Sequence, residues 1–144
     1  MRPERYFSDY QEQQIISAIK NAELNTSGEI RLHVERFCQT PSAIDRAKEI
    51  FEKLQMHKTK DRNGILFYVS YENRKFAIWG DTGIHQKVQQ SFWDMIKHEA
   101  IADFKNGNLV DGLTKSINKC GLELKKYFPY QTDDINELPD QISY

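Results

Sequence analysis

An uninterrupted apolar run, Ile65-Leu66-Phe67-Tyr68-Val69, limits the fold of this chain more than any other stretch. The run is short and rich in aromatic and branched side chains, which is typical of a strand that is buried on both faces. Residues 71–74 are turn-like, and residues 75–79 resume an apolar strand. Residues 65–79 therefore predict an antiparallel hairpin in the interior of the protein.

A further strand is predicted from Glu29 to Arg36, where apolar and polar residues alternate. One face of this strand is covered more than the other, which suits the edge of a sheet. Helical spacing of apolar residues predicts four helices. They cover residues 8–24 with a Ser8/Gln11 capping box, residues 41–55 with Thr40 as N-cap, residues 84–96 and residues 109–124. The order αβαββαα predicts an α/β fold, an αβα sandwich around a small mixed sheet.

The length and composition predict one domain. With 144 residues and 39% hydrophobic content, the chain can bury one core. Residues 1–128 are predicted to form that domain. Residues 129–144 form an acidic-apolar tail that includes Asp133, Asp134 and Glu137, and we expect it to pack partly on the domain.

The charge balance and the cysteine content indicate which partners and which cellular compartment to expect. The 20 basic and 21 acidic residues nearly cancel, which argues against nucleic acid or an anionic membrane surface as a partner. No run reaches the roughly 18 apolar residues of a membrane span. Cys38 and Cys120 lack CxxC spacing, so reduced thiols are expected. These features, and an N-terminus without a signal-peptide pattern, predict a cytoplasmic protein.

The predicted topology brings three loops together. If the strands from Glu29 and Ile65 are parallel, the loops that precede them lie at the same end of the sheet. The hairpin then delivers the turn at residues 80–83 to that end. Glu29, Asp61 and Asp81 can therefore converge. Carboxylate and carbonyl oxygens are the ligands that calcium and magnesium prefer, so the convergence indicates a divalent-cation site.

Two other interpretations of the same loops remain open. The Asp and Asn side chains can simply cap their own turns. Alternatively, the helix start near Gly83 can cradle a phosphate, with Lys58, Lys60 and Arg62 supplying positive charge. Glu99 and Asp103 lie one helical turn apart, in an arrangement that usually solvates a helix. The four histidines form no pair with zinc-ligand spacing, and no nucleophile motif of a covalent hydrolase is present.

Several short motifs, in their order and spacing, resemble the TPM domain family, which is named for thylakoid lumen phosphatase, photosystem repair and receptor-modulator members. The resemblance covers roughly residues 8–128, and two of its motifs resemble a stand-alone bacterial branch. The motifs are residues 61–66, the hairpin to Gly80, the turn at 80–84, the link at 104–107, and, for the bacterial branch, residues 26–30 and 136–140.

The resemblance implies an αβα sandwich that holds divalent cations between crossing loops, and, for plant members, acid phosphatase activity. By this resemblance, Asp61 and Asp81 are the first candidates for metal ligands, Glu29 is the next, and Glu99 and Asp103 are the last. The function expected first is therefore a small metal-binding domain with calcium, or else magnesium, in a regulatory or interaction role. The alternatives are a metal-dependent phosphatase that acts on phosphomonoesters, and a module whose protein partner binds the tail.

Overall fold

A computed structural model describes residues 6–130 and 140–144 of the chain. These residues form five α-helices, a three-stranded sheet and a single 3-10 turn at Met56–Lys58. In chain order the elements are α1 (Asp9–Glu23), β1 (Glu29–Glu35), α2 (Ala43–Lys53), β2 (Gly64–Ser70), β3 (Lys75–Gly80), α3 (Thr82–His85), α4 (Gln90–Lys105) and α5 (Leu109–Tyr127).

The sheet has the order β1-β2-β3, with β1 parallel to β2 and β2 antiparallel to β3. Glu29 is paired with Gly64, and Ile65 is paired with Gly80, so the starts of β1 and β2 and the end of β3 lie together. Every residue of β2 is buried, as its continuous apolar sequence predicts. The predicted edge position of β1 within this sheet is also confirmed.

Two apolar clusters cover the two faces of the sheet. On one face Ile30, Phe67 and neighbouring side chains pack with helices α1, α4 and α5. On the other face Leu66 and Tyr68 pack with Ile50 and Phe51 of α2 and with neighbouring side chains. The structure is therefore the predicted αβα sandwich with a mixed sheet.

Helix α1 begins with the predicted capping box. The Ser8 hydroxyl accepts a hydrogen bond from the Gln11 backbone at 3.1 Å, and the Gln11 side chain accepts one from the Ser8 backbone at 3.0 Å. The predicted N-cap of α2 is wrong. Ser42 caps that helix by accepting from the Asp45 amide, while the Thr40 hydroxyl donates to the Ser42 carbonyl in the preceding turn.

The prediction of one continuous helix over residues 84–96 is also wrong. The structure has a short α3 and a separate α4, because Gln89 is extended, with φ −73° and ψ 152°. Ile84 and Val88 on one side of the break and Ile96 on the other all enter the same core. Apolar spacing therefore continues across a break that it cannot reveal.

The last described residues lie along the free edge of β1. Ile142 is buried, and the Ser143 backbone donates to the Leu32 carbonyl and accepts from the Val34 amide, each at 2.8 Å. The predicted acidic residues Asp133, Asp134 and Glu137 lie outside the described residues. In the two described ranges, no helix combines the length and apolar character needed to cross a membrane.

Candidate functional site

Three loops meet at one end of the sheet, which we call the loop end: residues 25–29, 56–64 and 80–83. Backbone hydrogen bonds tie them together. The Asp81 amide donates to the Gly64 carbonyl at 2.9 Å, and the Glu29 amide donates to the Asn63 carbonyl at 3.5 Å. The loops therefore lie side by side, as the strand directions predict.

Gly83 makes the closest approach between two of these loops. Its amide donates to the Arg62 carbonyl at 2.8 Å. A Cβ atom at this position would lie 2.1 Å from the Asp61 carbonyl oxygen and 2.6 Å from that of Arg62. Such distances are too short for any side chain, so glycine is required for the crossing at this point.

Asp81 supplies an enclosed carboxylate at the crossing of the loops. Its side chain is 4% exposed and accepts two hydrogen bonds from Arg62, at 2.7 Å from Nε and 2.8 Å from Nη2. It also accepts from the Thr82 amide at 2.7 Å, so it caps α3 as well. These contacts with Asp81 raise the pKa of Arg62. Asp81 thus combines the predicted capping role with an ion pair across the loops.

Asp61 reaches the third loop. The Ser27 hydroxyl donates to its carboxylate at 3.0 Å, and the Asn63 side-chain amide donates to the Ser27 oxygen at 3.1 Å. Asp61 is exposed, whereas Asn63 is buried. The loop end therefore carries the carboxylates of Asp61 and Asp81, the hydroxyl of Ser27 and the side-chain amide of Asn63.

The start of α3 is a poor phosphate cradle. The Thr82 amide donates to the Asp81 side chain, and the Gly83 amide donates to the Arg62 carbonyl. Both of the first helical donors are therefore used within the protein. The phosphate interpretation loses the backbone donors on which it depends.

Glu29 begins β1 and is 2% exposed. Close by, Glu23 lines a cavity of about 390 Å³ together with Glu29 and Asp140. Burial raises the pKa of Glu23 to about 9, helped by a side-chain hydrogen bond with Asp140. The Glu23 carboxylate also accepts from the Ile30 amide at 2.9 Å. Sequence reasoning missed Glu23, which lies in no recognisable motif, and used Asp140 only as part of the motif at residues 136–140, not as a site residue.

Glu99 and Asp103 do not join the loop end. On α4 they form ion pairs with two lysines of α5, Glu99 with Lys119 and Asp103 with Lys115 at 3.7 Å. The N-terminal part of α4 lies against Gly80 through Trp93. Phe104, beside Asp103, packs instead on Phe76 near the start of β3. Asp103 therefore lies toward the opposite end of the strand, and Glu99 lies one helical turn before it on α4.

Within residues 6–130 and 140–144, no three His, Cys, Asp or Glu side chains are grouped closely enough to hold one metal ion. At Asp81 the position of a cation is taken by the Arg62 guanidinium. The carboxylate and hydroxyl oxygens of Asp81, Asp61 and Ser27 are of the type that hard cations prefer. Sequence reasoning assigned Arg62 only to a phosphate site. The position of Arg62 next to Asp61 in the sequence was the available signal for its role as the ion-pair partner of Asp81.

A second polar group, the Glu35 cluster, lies at the other end of β1 and consists of Glu35, Arg46, Tyr68 and His33. Arg46 donates to both Glu35 oxygens at 2.9 Å, the Tyr68 hydroxyl donates to Glu35, and His33 Nε2 lies 3.4 Å from it. Burial alone would raise the pKa of Glu35, but the bonds from Arg46 and Tyr68 outweigh it and hold the pKa below its usual value. Nothing in the local sequence indicated this cluster.

Comparison with known proteins identifies the family. A sequence model of the TPM domain matches residues 1–122. The NMR structure of the BA42 protein from the psychrophilic bacterium Bizionia argentinensis is 44% identical, with a TM-score of 0.89 over 99% of this chain and 97% of that one. Among curated proteins the comparison found no significant match.

Two more distant solution NMR structures share the fold. The N-terminal domain of the cg2496 protein from Corynebacterium glutamicum is 12% identical, with a TM-score of 0.66 over 94% of this chain and 91% of that one. The N-terminal domain of a P. gingivalis protein is 15% identical, with a TM-score of 0.69 over 87% and 82%. With a family match over most of its length and this shared fold, the chain belongs to the TPM domain family.

Proposed function

We propose that this protein is a small cytoplasmic domain that binds a divalent cation at the loop end, with calcium as the preferred ion and magnesium as the second. The cation ties the crossing loops together and changes the surface that they present to a protein partner. The free and buried state of Cys38 and Cys120 supports a reducing compartment.

The observation that carries the proposal is the unequal exposure of the Arg62–Asp81 pair. The Asp81 side chain is 4% exposed, whereas that of Arg62 is 49% exposed. An enclosed carboxylate retains its need for positive charge, because an unpaired buried charge is costly. The exposed arginine can move into water when a metal ion takes its place.

The proposed ligands are oxygen atoms from the three loops. Asp81, Asp61 and Glu29 supply carboxylates, the Ser27 hydroxyl lies 3.0 Å from the Asp61 carboxylate, and the Asn63 side-chain amide lies 3.1 Å from the Ser27 hydroxyl. Among the described residues these carboxylates are not grouped closely enough for one ion, so calcium binding requires the loops to draw them together. Calcium accepts six to eight oxygens in flexible geometry, which suits ligands on loops better than the strict octahedron of magnesium. Glu99 and Asp103 are not part of this proposed site, because they lie on α4 with partners on α5 and not on the crossing loops.

A thermal scan with excess calcium or with chelator tests the proposal. At about 100 times Kd, a ligand that binds only the folded state adds about 2.7 kcal/mol to its stability, so Tm rises by several degrees. Amide signals of residues 57–64 and 80–84 should shift in NMR spectra. Asp81→Asn should abolish both effects, and Asp94→Asn, at an exposed position on α4, should preserve them.

Arg62→Gln provides the sharper measurement. If Arg62 competes with the metal, this variant loses stability in chelator but gains a larger calcium-dependent rise in Tm than the wild type. An unchanged Tm in the wild type and in Arg62→Gln, without calcium-dependent shifts in either, would disprove calcium binding at the loop end. Repeating the scans with magnesium ranks the two ions.

The phosphatase alternative rests on the family resemblance. It predicts metal-dependent turnover of p-nitrophenyl phosphate, in which the cation polarises the phosphoryl group. Turnover should disappear in a folded Asp81→Asn variant. Equal turnover in the wild type and in this variant would identify a contaminating enzyme.

A further inference from the structure

A second recess, which we call the hairpin groove, lies at the opposite end of β3 from the loop end. It is bounded by the β2–β3 hairpin, the α4–α5 connection and Tyr6, which precedes α1. Its volume is about 560 Å³. Recesses of roughly 300–1,000 Å³ with apolar walls and a few polar groups are typical of small-molecule sites.

Aromatic side chains form much of its wall. The rings of Tyr6 and Tyr71 stack with centroids 4.4 Å apart and planes 14° apart. Phe76 and Phe104 meet edge to face at 5.0 Å. Tyr6 is 48% exposed, so an aromatic surface is available at the mouth of the groove. Flat rings stack well on such surfaces.

The rim of the groove is positively charged. Arg74 and Lys105 line it and are exposed, and neither forms an ion pair with any residue in ranges 6–130 and 140–144. The lining side chains, all of them described residues, include no acid. A third cation, Lys75, directs its ammonium group away, toward the carbonyls of Thr40 and Pro41.

The nearest acids along the chain do not neutralise this charge. Glu72 pairs with Arg36, and Asp103 pairs with Lys115 at 3.7 Å. The groove therefore combines aromatic walls with two available positive charges.

From this combination we propose that the hairpin groove binds a small organic anion with a flat aromatic body and one carboxylate. The ring stacks in the aromatic recess, and the carboxylate meets Arg74 and Lys105. The site is independent of the metal, because the six residues of β3, about 20 Å at 3.3 Å per residue, separate it from the loop end.

An NMR titration with 2-naphthoate, in chelator, tests the proposal. Saturable shifts are expected in the amides of residues 69–76 and 101–109. The neutral analogue 2-naphthylmethanol should bind at least fivefold more weakly. The double variant Arg74→Gln/Lys105→Gln should weaken naphthoate about fivefold and leave the alcohol unchanged. Lys97→Gln, an exposed lysine of α4 outside the groove, should bind both probes as the wild type does.

Three results would overturn the proposal. The first is equal binding of the acid and the alcohol, which would remove the role of Arg74 and Lys105. The second is the absence of saturable shifts at the groove with millimolar naphthoate. The third is a shift of the same amides with protein concentration alone, which would show that a second copy of the chain covers the groove. None of these results bears on calcium binding at the loop end.

Discussion

Two arginine–carboxylate pairs stand at opposite ends of the same sheet. At the loop end Arg62 binds Asp81, and in the Glu35 cluster Arg46 binds Glu35, each through two hydrogen bonds. The pairs differ in what surrounds them. The Glu35 carboxylate also accepts a hydrogen bond from Tyr68 and lies beside His33. Among the described residues, the Asp81 carboxylate accepts only one hydrogen bond besides those from Arg62, and the Thr82 amide donates it.

The two arginines also differ in their exposure and in the element that carries them. The Arg46 side chain is 28% exposed and also binds Glu49, from its position on α2. The Arg62 side chain is 49% exposed and lies on a loop. Similar pairs therefore serve different purposes according to their setting. We interpret the Glu35 cluster as a structural contact, and under the proposed function the Arg62–Asp81 pair is the one that opens for a metal ion.

The largest expected effect is on the structural pair. Arg46→Gln should lower the free energy of unfolding by about 2–3 kcal/mol, because it leaves a largely buried carboxylate without its cation; fully buried pairs cost about 3–5 kcal/mol. Urea denaturation measures the loss. Arg36→Gln is the matched control, since its exposed pair with Glu72 should contribute less than about 1 kcal/mol. Equal losses in both variants would contradict a structural role for the Glu35 cluster.

The next effect concerns the close crossing at the loop end. Gly83→Ala should cost about 2 kcal/mol, because its Cβ atom would meet two backbone carbonyls and overpacking of this kind costs roughly 1–3 kcal/mol. It should also weaken calcium binding by displacing the loop that carries Asp61. Gly107→Ala is the control for replacing a glycine without a steric clash. Its φ of +79° disfavours alanine, but no atom lies within 4 Å of its Cβ position. A larger loss at Gly107 would show that the crossing tolerates movement.

The smallest effect is a pH dependence of the Glu35 cluster. Burial lowers the pKa of His33 below its ordinary 6.5, so its contribution to stability is present above pH 6.5 and is lost as the pH falls through the lowered pKa. Glu35, also lowered, adds a second loss below its ordinary value of 4.5. Urea denaturation between pH 7 and pH 3 covers both losses, and comparison of the variants with the wild type cancels the opposite pH dependence of Glu23, whose pKa is raised. His33→Gln should remove the first decline, whereas His98→Gln, at an exposed position on α4, should retain it.

Local patterns were sufficient for the main elements. The apolar run at residues 65–69 predicted a strand buried on both faces, and Ser8 with Gln11 predicted the start of α1. These signals are readable because each depends on neighbours within a few residues. The predicted N-cap at Thr40 and the predicted continuous helix over residues 84–96 were wrong for the opposite reason, since the position of a cap or a break depends on how the helix packs.

The candidate site was predictable only in part. The strand directions placed Asp61 and Asp81 at one end of the sheet, and the loops do meet there. The pairing of Arg62 with Asp81 depends on side-chain direction, which topology does not specify. For the same reason sequence spacing did not reveal that Glu99 pairs with Lys119 of another helix.

The sequence by itself determined the αβα sandwich, because the periodicity of apolar residues dictates which faces must be buried. It also determined that acidic and glycine-rich loops would share one end of the sheet. Only the tertiary structure decided which charges meet. Contacts such as Arg46 with Glu35 and Arg62 with Asp81 join residues 11 and 19 positions apart, and they form only when packed elements bring those side chains together.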